Sequence, residues 1–256
     1  GSVTLTTFHT ARRQVDVWIP EDGFTGPRPM LVMHDGQNLF DDSKAAFGVS
    51  WGVLKALETL STPQPVVIGA FNTEITRAAE YAPQDVLESL PDESYQFVGN
   101  PPLKPLLGNA YQKELAEEII PHVLTLAEID FRPERVAVSG SSMGGHASLY
   151  AMAKYPEIYG TALCLSTHWQ LSTENLARAF VRTLPEPSSG HRIWLDHGTL
   201  GLDASYGVTQ AAVDLEFSDR GYVWPQIESR RYIGTNHNEA SWSARMPEIL
   251  QWWLEK

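Results

Sequence analysis

The first twenty residues alternate apolar and polar positions, whereas the apolar runs that follow are continuous. Residues 3–10 and 13–20 show the alternation that is typical of half-solvated antiparallel strands, and we expect them to form a hairpin. Six later runs are short and rich in apolar or β-branched residues, which predicts strands of a largely parallel sheet covered on both faces. These runs lie at 29–36, 65–72, 135–140, 161–168, 192–198 and 229–235.

Between these runs, three segments carry apolar residues at three- and four-residue spacing, which is the period of an amphipathic helix. They extend from Val53 to Leu60, from Leu115 to Leu124 and from Trp242 to Trp253. Pro247 falls inside the third segment and predicts a kink or a break there. The alternation of strands and helices favours an α/β fold, with helices on both faces of a mostly parallel sheet that begins with an antiparallel hairpin.

No feature of the sequence marks a domain boundary. A length of 256 residues suits one α/β domain, and no repeat or low-complexity tract divides the chain, so we expect a single domain over 1–256. Residues 89–107 contain four prolines and little periodicity. They predict a long loop, which either covers the active site or decorates the surface.

Charge and composition narrow the classes of partner. A net charge of −12 would repel a polyanion, so we expect no nucleic-acid partner. No apolar run approaches the roughly 18 residues that a membrane span needs, so we expect no membrane partner either. Cys164 is the single cysteine, which excludes an intramolecular disulfide and disfavours a cysteine-based metal site. Oligomeric state and compartment, cytoplasmic or secreted, stay open.

A Gly-x-Ser-x-Gly motif joins a predicted strand to a predicted helix at 140–144. The motif predicts that Ser142 stands on a sharp, strained turn, where side chains at Gly140 or Gly144 would collide with neighbouring backbone. The serine hydroxyl would lie at the N-terminus of the next helix, which favours developing negative charge. We therefore predict that Ser142 is a nucleophile and that the N–H of Met143 is one oxyanion donor.

A nucleophilic serine needs a neutral imidazole as its base, and in this class of fold the order along the chain is nucleophile, acid, base. His237 is the one histidine in a loop after the last predicted strand, and we predict that it is the base. His168, at the end of the strand after the motif, either lines the pocket or is packed as a structural residue. Asp203 is favoured as the acid because a loop reaches the imidazole more readily than a strand does, and Asp196 is the alternative.

The second oxyanion donor is expected in the loop after the first central strand. The N–H of Gln37 is the candidate, and Gly36 would give the bend that turns this N–H inward. His34 and Asp35 resemble metal ligands, but no third ligand follows at a matching spacing. We therefore predict no metal, and the predicted chemistry needs no cofactor.

At these residues the chain resembles the putative-esterase family of α/β hydrolases, which includes feruloyl and acetyl xylan esterases, siderophore esterases of the enterobactin type and antigen 85 mycolyltransferases. The resemblance rests on HDGQNLFDD (34–42), Trp51, RAAEYAP (77–83), GSSMGG (140–145), LSTHW (165–169) and HNEASW (237–242). It implies the α/β-hydrolase fold, with Ser142 as nucleophile and His237 as base. It also implies that the amides of Met143 and Gln37 form the oxyanion hole. Some siderophore esterases use a serine–histidine dyad, which would leave no role for the acid.

The same resemblance bears on substrate binding and on the reaction. Arg77 matches a family arginine near the site, and it would either contact substrate or form a surface ion pair with Glu80. The predicted activity is hydrolysis of a small-molecule carboxylic ester through an acyl-enzyme on Ser142. The alternatives are an acyltransferase that uses the same residues and a non-catalytic binding module. Neither the acyl nor the alcohol group follows from fold and motif.

Overall fold

The computed structural model describes residues 5–60, 63–90, 105–171 and 173–255, and its centre is one eight-stranded sheet. The strands are β1 (Leu5–His9), β2 (Gln14–Trp18), β3 (Met30–His34), β4 (Val66–Ala70), β5 (Val136–Ser141), β6 (Thr161–Leu165), β7 (Arg192–His197) and β8 (Ile227–Arg231). Their order across the sheet is β1-β2-β4-β3-β5-β6-β7-β8. Strand β2 runs antiparallel to both of its neighbours and every other pair is parallel, which confirms the predicted hairpin and parallel sheet.

Helices cover both faces of this sheet. They are α1 (Val53–Leu57), α2 (Arg77–Tyr81), α3 (Gln84–Ser89), α4 (Gly108–Glu114), α5 (Ile120–Leu126), α6 (Met143–Lys154), α7 (Glu174–Arg182), α8 (Gly207–Asp219) and α9 (Glu239–Leu254). A π-helical turn, Leu115–Ile119, joins α4 to α5. Helix α9 runs through Pro247 without ending, so the predicted break is absent. The buried side chains of Met246, Ile249 and Leu250 hold this part of α9 against the sheet.

Strand β3 shows how the two faces divide the core. All five of its residues are buried, as expected for a parallel strand covered on both sides. Met30 and Val32 pack in the larger apolar cluster with α4 to α8, whereas Leu31 and Met33 pack in the smaller one with α1 and α9. Because successive side chains of a strand point to opposite faces, one short apolar run contributes residues to both clusters.

The parallel strands end at one edge of the sheet, and the polar residues of interest follow these ends. Asp35 comes after β3, Ser142 after β5, Ser166 after β6, Asp203 after β7 and His237 after β8. The topology therefore gathers segments that are far apart in sequence, at the edge where open α/β sheets bind ligands.

The predicted long loop and the expected lack of a membrane-spanning segment can be compared with the described residues. The loop predicted over 89–107 falls largely on residues 91–104, which lie outside the described residues. Among the residues that are described, no helix has the length and apolar character needed to cross a membrane.

Gly36 approaches β4 so closely that the position demands a glycine. A Cβ built on Gly36 would lie 2.4 Å from both the carbonyl carbon and the oxygen of Gly69. We predict that Gly36→Ala lowers the free energy of unfolding by about 1–3 kcal/mol, because the backbone must shift to admit a methyl group. Gly207→Ala is the matched control, since a Cβ there would lie 3.8 Å from its nearest neighbour. Chemical denaturation of both variants measures the effect, and wild-type stability of Gly36→Ala would contradict it.

Candidate active site

Ser142 occupies the turn between β5 and α6 in a conformation that is rare for a residue with a side chain. Its φ is 58° and its ψ is −122°. The Ser142 N–H donates to the Leu165 carbonyl at 2.9 Å, and its own carbonyl accepts from the N–H groups of Gly145 at 3.1 Å and His168 at 3.2 Å. Hydrogen bonds to the end of β6 and the segment after it thus fix the strained turn.

The three glycines around Ser142 differ in how much space a side chain would have at each position. A Cβ on Gly140 would lie 2.8 Å from the backbone of Gly144, which is the predicted collision. At Gly144 the nearest atom would be Cβ of His34 at 3.7 Å, an ordinary contact, so the collision predicted there is wrong. Gly145 is the second crowded position, because a Cβ would lie 2.5 Å from Oγ1 of Thr167.

His237 precedes α9 and is joined to Asp203, which lies in the short 3-10 turn Gly201–Ser205 after β7. Nδ1 of His237 and Oδ1 of Asp203 are 2.6 Å apart. Oδ2 of Asp203 accepts from the Ser166 hydroxyl at 2.7 Å and from the Gly198 N–H at 2.6 Å. Burial alone would raise the pKa of Asp203, but the hydrogen bonds from His237, Ser166 and Gly198 hold that pKa below its usual value. The carboxylate is therefore ionised beside the imidazole.

Asp196, the alternative acid, has different partners. It is fully buried in β7, where it pairs with Nη2 of Arg245 at 2.8 Å and accepts from Nε1 of Trp194 at 2.9 Å and from the Ser166 N–H at 3.0 Å. Burial raises the pKa of Asp196 in spite of the Arg245 charge. Its hydrogen bonds within the described residues do not reach His237, so the geometry favours Asp203 as the partner of the imidazole.

Ser166 connects the two carboxylates. Its hydroxyl donates to Asp203 and accepts from Nη2 of Arg245 at 2.7 Å and from Nε1 of Trp242 at 3.0 Å. Sequence reasoning did not assign a role to these partners. Ser166 and Trp242 stand inside the motifs that carry the family resemblance, whereas no pattern in the sequence pointed to Arg245.

The loop after β3 is held by Asp35, whose φ of 57° places the left-handed residue one position earlier than the predicted bend at Gly36. Its carboxylate accepts from Nε and Nη2 of Arg77, both at 2.7 Å, and from Nδ2 of Asn72 at 2.7 Å. Burial would raise the pKa of Asp35, but the Arg77 guanidinium keeps it below its usual value. This bidentate ion pair fixes the entry into the 3-10 turn Gly36–Asn38.

Arg77 was predicted to contact substrate or to pair with Glu80. It pairs with Asp35 instead, and the Glu80 carboxylate is taken by the buried guanidinium of Arg13 at 3.2 Å. The fold brings Asp35 within reach of Arg77 from 42 residues away. The Arg77 side chain is 26% exposed and lines the cleft described next, so a substrate contact stays a prediction.

A cleft of about 880 Å³ opens at this edge of the sheet. Ser142, His237, Gln37 and Arg77 all line it. No hydrogen bond joins the Ser142 hydroxyl to His237 within the described residues, and such bonds are often long without substrate. Outside the helices and strands, the backbone hydrogen bonds of the described residues include none donated by the N–H of Gln37 or Met143.

His168 lies beside the imidazole of His237, outside the described lining of the cleft. Its Nδ1 is hydrogen bonded to the hydroxyl of Tyr206, and its ring centroid is 6.1 Å from that of His237. Burial, together with the nearby His237, lowers the pKa of His168 to about 4, so the ring is neutral at ordinary pH.

No cluster of three or more metal-ligating side chains occurs in the described part of the chain. His34 is fully buried, with Nδ1 2.6 Å from the Tyr111 hydroxyl, and burial lowers its pKa to about 3. The neighbouring Asp35 is engaged by Arg77. Both residues therefore have structural partners within the chain.

The chain matches a family of known proteins over most of its length. Residues 9–253 match the family model described as "Putative esterase". The chain belongs to this esterase family. A protein of Bacillus subtilis (strain 168), named "Uncharacterized protein YbbA", is 24% identical over 199 residues, which are 77% of this chain and 72% of that protein.

Solved structures of esterases share the fold. The enterobactin esterase FES from Shigella flexneri, in the presence of enterobactin, superposes with a TM-score of 0.71 at 19% identity over 98% of this chain, which spans 58% of the length of FES. The enterobactin and salmochelin hydrolase IroE gives a TM-score of 0.63 at 20% identity and covers 97% of this chain and 96% of its own. A ferulic acid esterase gives 0.64 at 12% identity, with 99% and 98% covered. The predicted α/β-hydrolase fold and family are thus confirmed.

Asp196 supplies a stability test, because it compensates a buried charge. We predict that Asp196→Asn lowers the free energy of unfolding by about 3–5 kcal/mol, since Arg245 is left buried without its counter-ion. Asp85→Asn is the matched control. Its exposed ion pair with Lys154 has a similar length, 2.7 Å, and is worth about 0–1 kcal/mol. Denaturant melts of the two variants measure the difference, and similar small losses in both would refute the structural role of Asp196.

Proposed function

We propose that this esterase-family protein hydrolyses a small-molecule carboxylic ester through an acyl-enzyme on Ser142. His237 acts as the general base, and Asp203 holds the imidazole in its reactive orientation. In the first step the serine oxygen attacks the ester carbonyl while its proton passes to His237, which then protonates the departing alcohol. In the second step His237 takes a proton from water, the hydroxide attacks the acyl carbon, and the serine oxygen leaves with that proton.

The observation that carries this proposal is the 2.6 Å hydrogen bond between Asp203 and His237 beside the strained turn of Ser142. An ionised Asp203 favours the tautomer of His237 whose proton is on Nδ1, which leaves the lone pair of Nε2 free to accept from a hydroxyl. The carboxylate also stabilises the imidazolium that forms during attack. These effects require an aspartate that is itself held, and the Ser166 hydroxyl and the Gly198 N–H hold it.

Two backbone N–H groups are proposed to stabilise the oxyanion. Met143 begins α6, so its N–H lies at the positive end of the helix dipole. Gln37 lies across the cleft on the loop after β3, and its side-chain Oε1 accepts from the Asn72 N–H at 3.2 Å. Asn72 also binds Asp35, so one residue ties together the loop that presents the Gln37 amide.

An ester as substrate is supported by the family match and by the fold shared with enterobactin and ferulic acid esterases. The cleft offers aromatic surface from Phe47, Phe71 and Trp242, against which the apolar part of an ester can pack. Arg77 is proposed to act mainly as a positioning residue, which fixes Asp35 and thereby the amide of Gln37.

Ser142→Ala tests the nucleophile. The variant should lose kcat/KM for short p-nitrophenyl esters by about a thousandfold or more while its melting temperature stays near that of the wild type, because one hydroxyl at the cleft is removed. His237→Ala should lose nearly as much, and the double variant little more than either, since the two groups act as a unit. Multiplicative losses in the double variant would count against this mechanism.

Asp203→Asn tests the acid. The amide can favour the wrong tautomer of His237, and in serine proteases such a change costs on the order of ten-thousandfold in rate. We expect kcat of Asp203→Asn to fall by orders of magnitude, whereas the folded fraction of Asp196→Asn keeps a rate within about tenfold of the wild type, since Asp196 acts on the fold. If Asp203→Asn loses less than tenfold, a serine–histidine dyad replaces the proposed triad.

A further inference from the structure

Glu239 is a buried carboxylate in the cleft that the proposed reaction does not use. It is the first residue of α9 and lies two residues after His237. The residue is 7% exposed, and it lines the same cleft as Ser142 and His237. Neither of its carboxylate oxygens is among the fully buried side-chain atoms that lack a partner in the described residues, so the carboxylate is accessible from the cleft.

Other buried carboxylates of the described chain accept two or more hydrogen bonds from side chains or backbone. These are Asp16, Asp35, Glu80, Glu114, Asp196, Asp203 and Glu216. For Glu239 the described residues provide its own backbone N–H and no ion pair or other donor. The carboxylate therefore retains unused acceptor capacity toward the cleft.

The charges around Glu239 do not make up for this lack of donors. Burial raises the pKa of Glu239, and the nearby Asp35 carboxylate acts in the same direction, whereas His237 and Arg77 act against it. The Arg77 guanidinium is already committed to Asp35 by two hydrogen bonds of 2.7 Å. A ligand that brings a positive charge and an N–H donor would satisfy the carboxylate fully.

The position of Glu239 relative to His237 indicates which part of an ester would reach it. His237 delivers a proton to the departing alcohol, so the alcohol lies beside the imidazole, while the acyl oxygen faces the N–H groups of Met143 and Gln37. Glu239 lies two residues after His237, lines the same cleft and interacts electrostatically with His237, which favours the alcohol part of the ester as the part that meets its carboxylate.

We propose that Glu239 is a specificity-determining residue that binds a protonated amine on the alcohol part of the ester. This inference rests on the proposed function, because it assumes that the ester is cleaved at Ser142. Its position at the start of α9 also lets Glu239 interact with the helix dipole. That interaction affects the stability of the helix, but it does not distinguish one alcohol from another.

Matched esters of one acid test the proposal. Dimethylaminoethyl butyrate carries a protonated amine, and isopentyl butyrate is its isostere with carbon in place of nitrogen. Hydroxyethyl and propyl butyrate form a second pair that differs by a neutral hydroxyl. We expect the ratio of kcat/KM for the dimethylaminoethyl ester to that for the isopentyl ester to fall by about tenfold or more in Glu239→Gln, because the amide retains the shape but not the charge.

Glu74→Gln is the matched control, since it removes an exposed carboxylate at the rim of the same cleft. It should leave the ratio of the ammonium ester to its isostere unchanged. An unchanged ratio in Glu239→Gln, an equal fall in both variants, or a fall confined to the hydroxyethyl and propyl pair would overturn the proposal. Melting temperatures of the variants separate any effect on the helix from the effect on selectivity.

The isopentyl and propyl esters report the proposed function independently, because they lack the donor. If Ser142→Ala still hydrolyses them, the acyl-enzyme mechanism fails. If Ser142→Ala does not hydrolyse them and the ratio is the same in Glu239→Gln and the wild type, the mechanism stands and the assignment of Glu239 alone fails.

Discussion

The contact between Asp203 and His237 depends on a buried polar network behind it. Oδ2 of Asp203 is held by the hydroxyl of Ser166, which in turn accepts from Arg245, and Arg245 is neutralised by Asp196. Each group in this network would be costly to bury alone, and the contacts between them offset part of that cost, although Nε and Nη1 of Arg245 have no hydrogen-bond partner among the described residues. The network fixes the Asp203 carboxylate in the turn after β7, where the loop after β8 brings the imidazole of His237 to it. The two aspartates thus have different partners: Asp203 contacts the imidazole of His237, and Asp196 pairs with the buried Arg245.

Of the five described non-glycine residues with positive φ, two directly follow the neighbouring strands β3 and β5. Asp35 and Ser142 both have positive φ although neither is a glycine, and such residues typically cost about 1–3 kcal/mol each. Hydrogen bonds to the end of β6 hold Ser142, and Arg77 and Asn72 hold Asp35. The two strained positions orient the adjacent amides of the proposed oxyanion hole, so the fold stabilises conformations that the local sequence would not adopt by itself.

The sequence predicts the features that depend on local pattern. Continuous apolar runs indicated the parallel strands, and loop reach favoured Asp203 over Asp196, as the geometry does. Contacts between distant segments could not be predicted from such local patterns. Arg245, for example, binds the Ser166 hydroxyl although 79 positions separate the two residues in the sequence. Glu80 was one of the two partners considered for Arg77, whereas the fold supplies Asp35. Pro247 was expected to kink or break the last helix, but the helix continues through it, with its apolar side packed against the sheet.

Every step of the proposed reaction depends on Ser142 being an activated nucleophile. Treatment with a fluorophosphonate, followed by intact-mass measurement and peptide mapping, tests it most directly. We expect one adduct on Ser142 that is absent from Ser142→Ala, whereas Ser141→Ala should still react because it retains Ser142, the strained turn and the imidazole of His237. An adduct on Ser141, or hydrolysis of esters by a protein that forms no adduct on Ser142, would show that Ser142 is not the nucleophile.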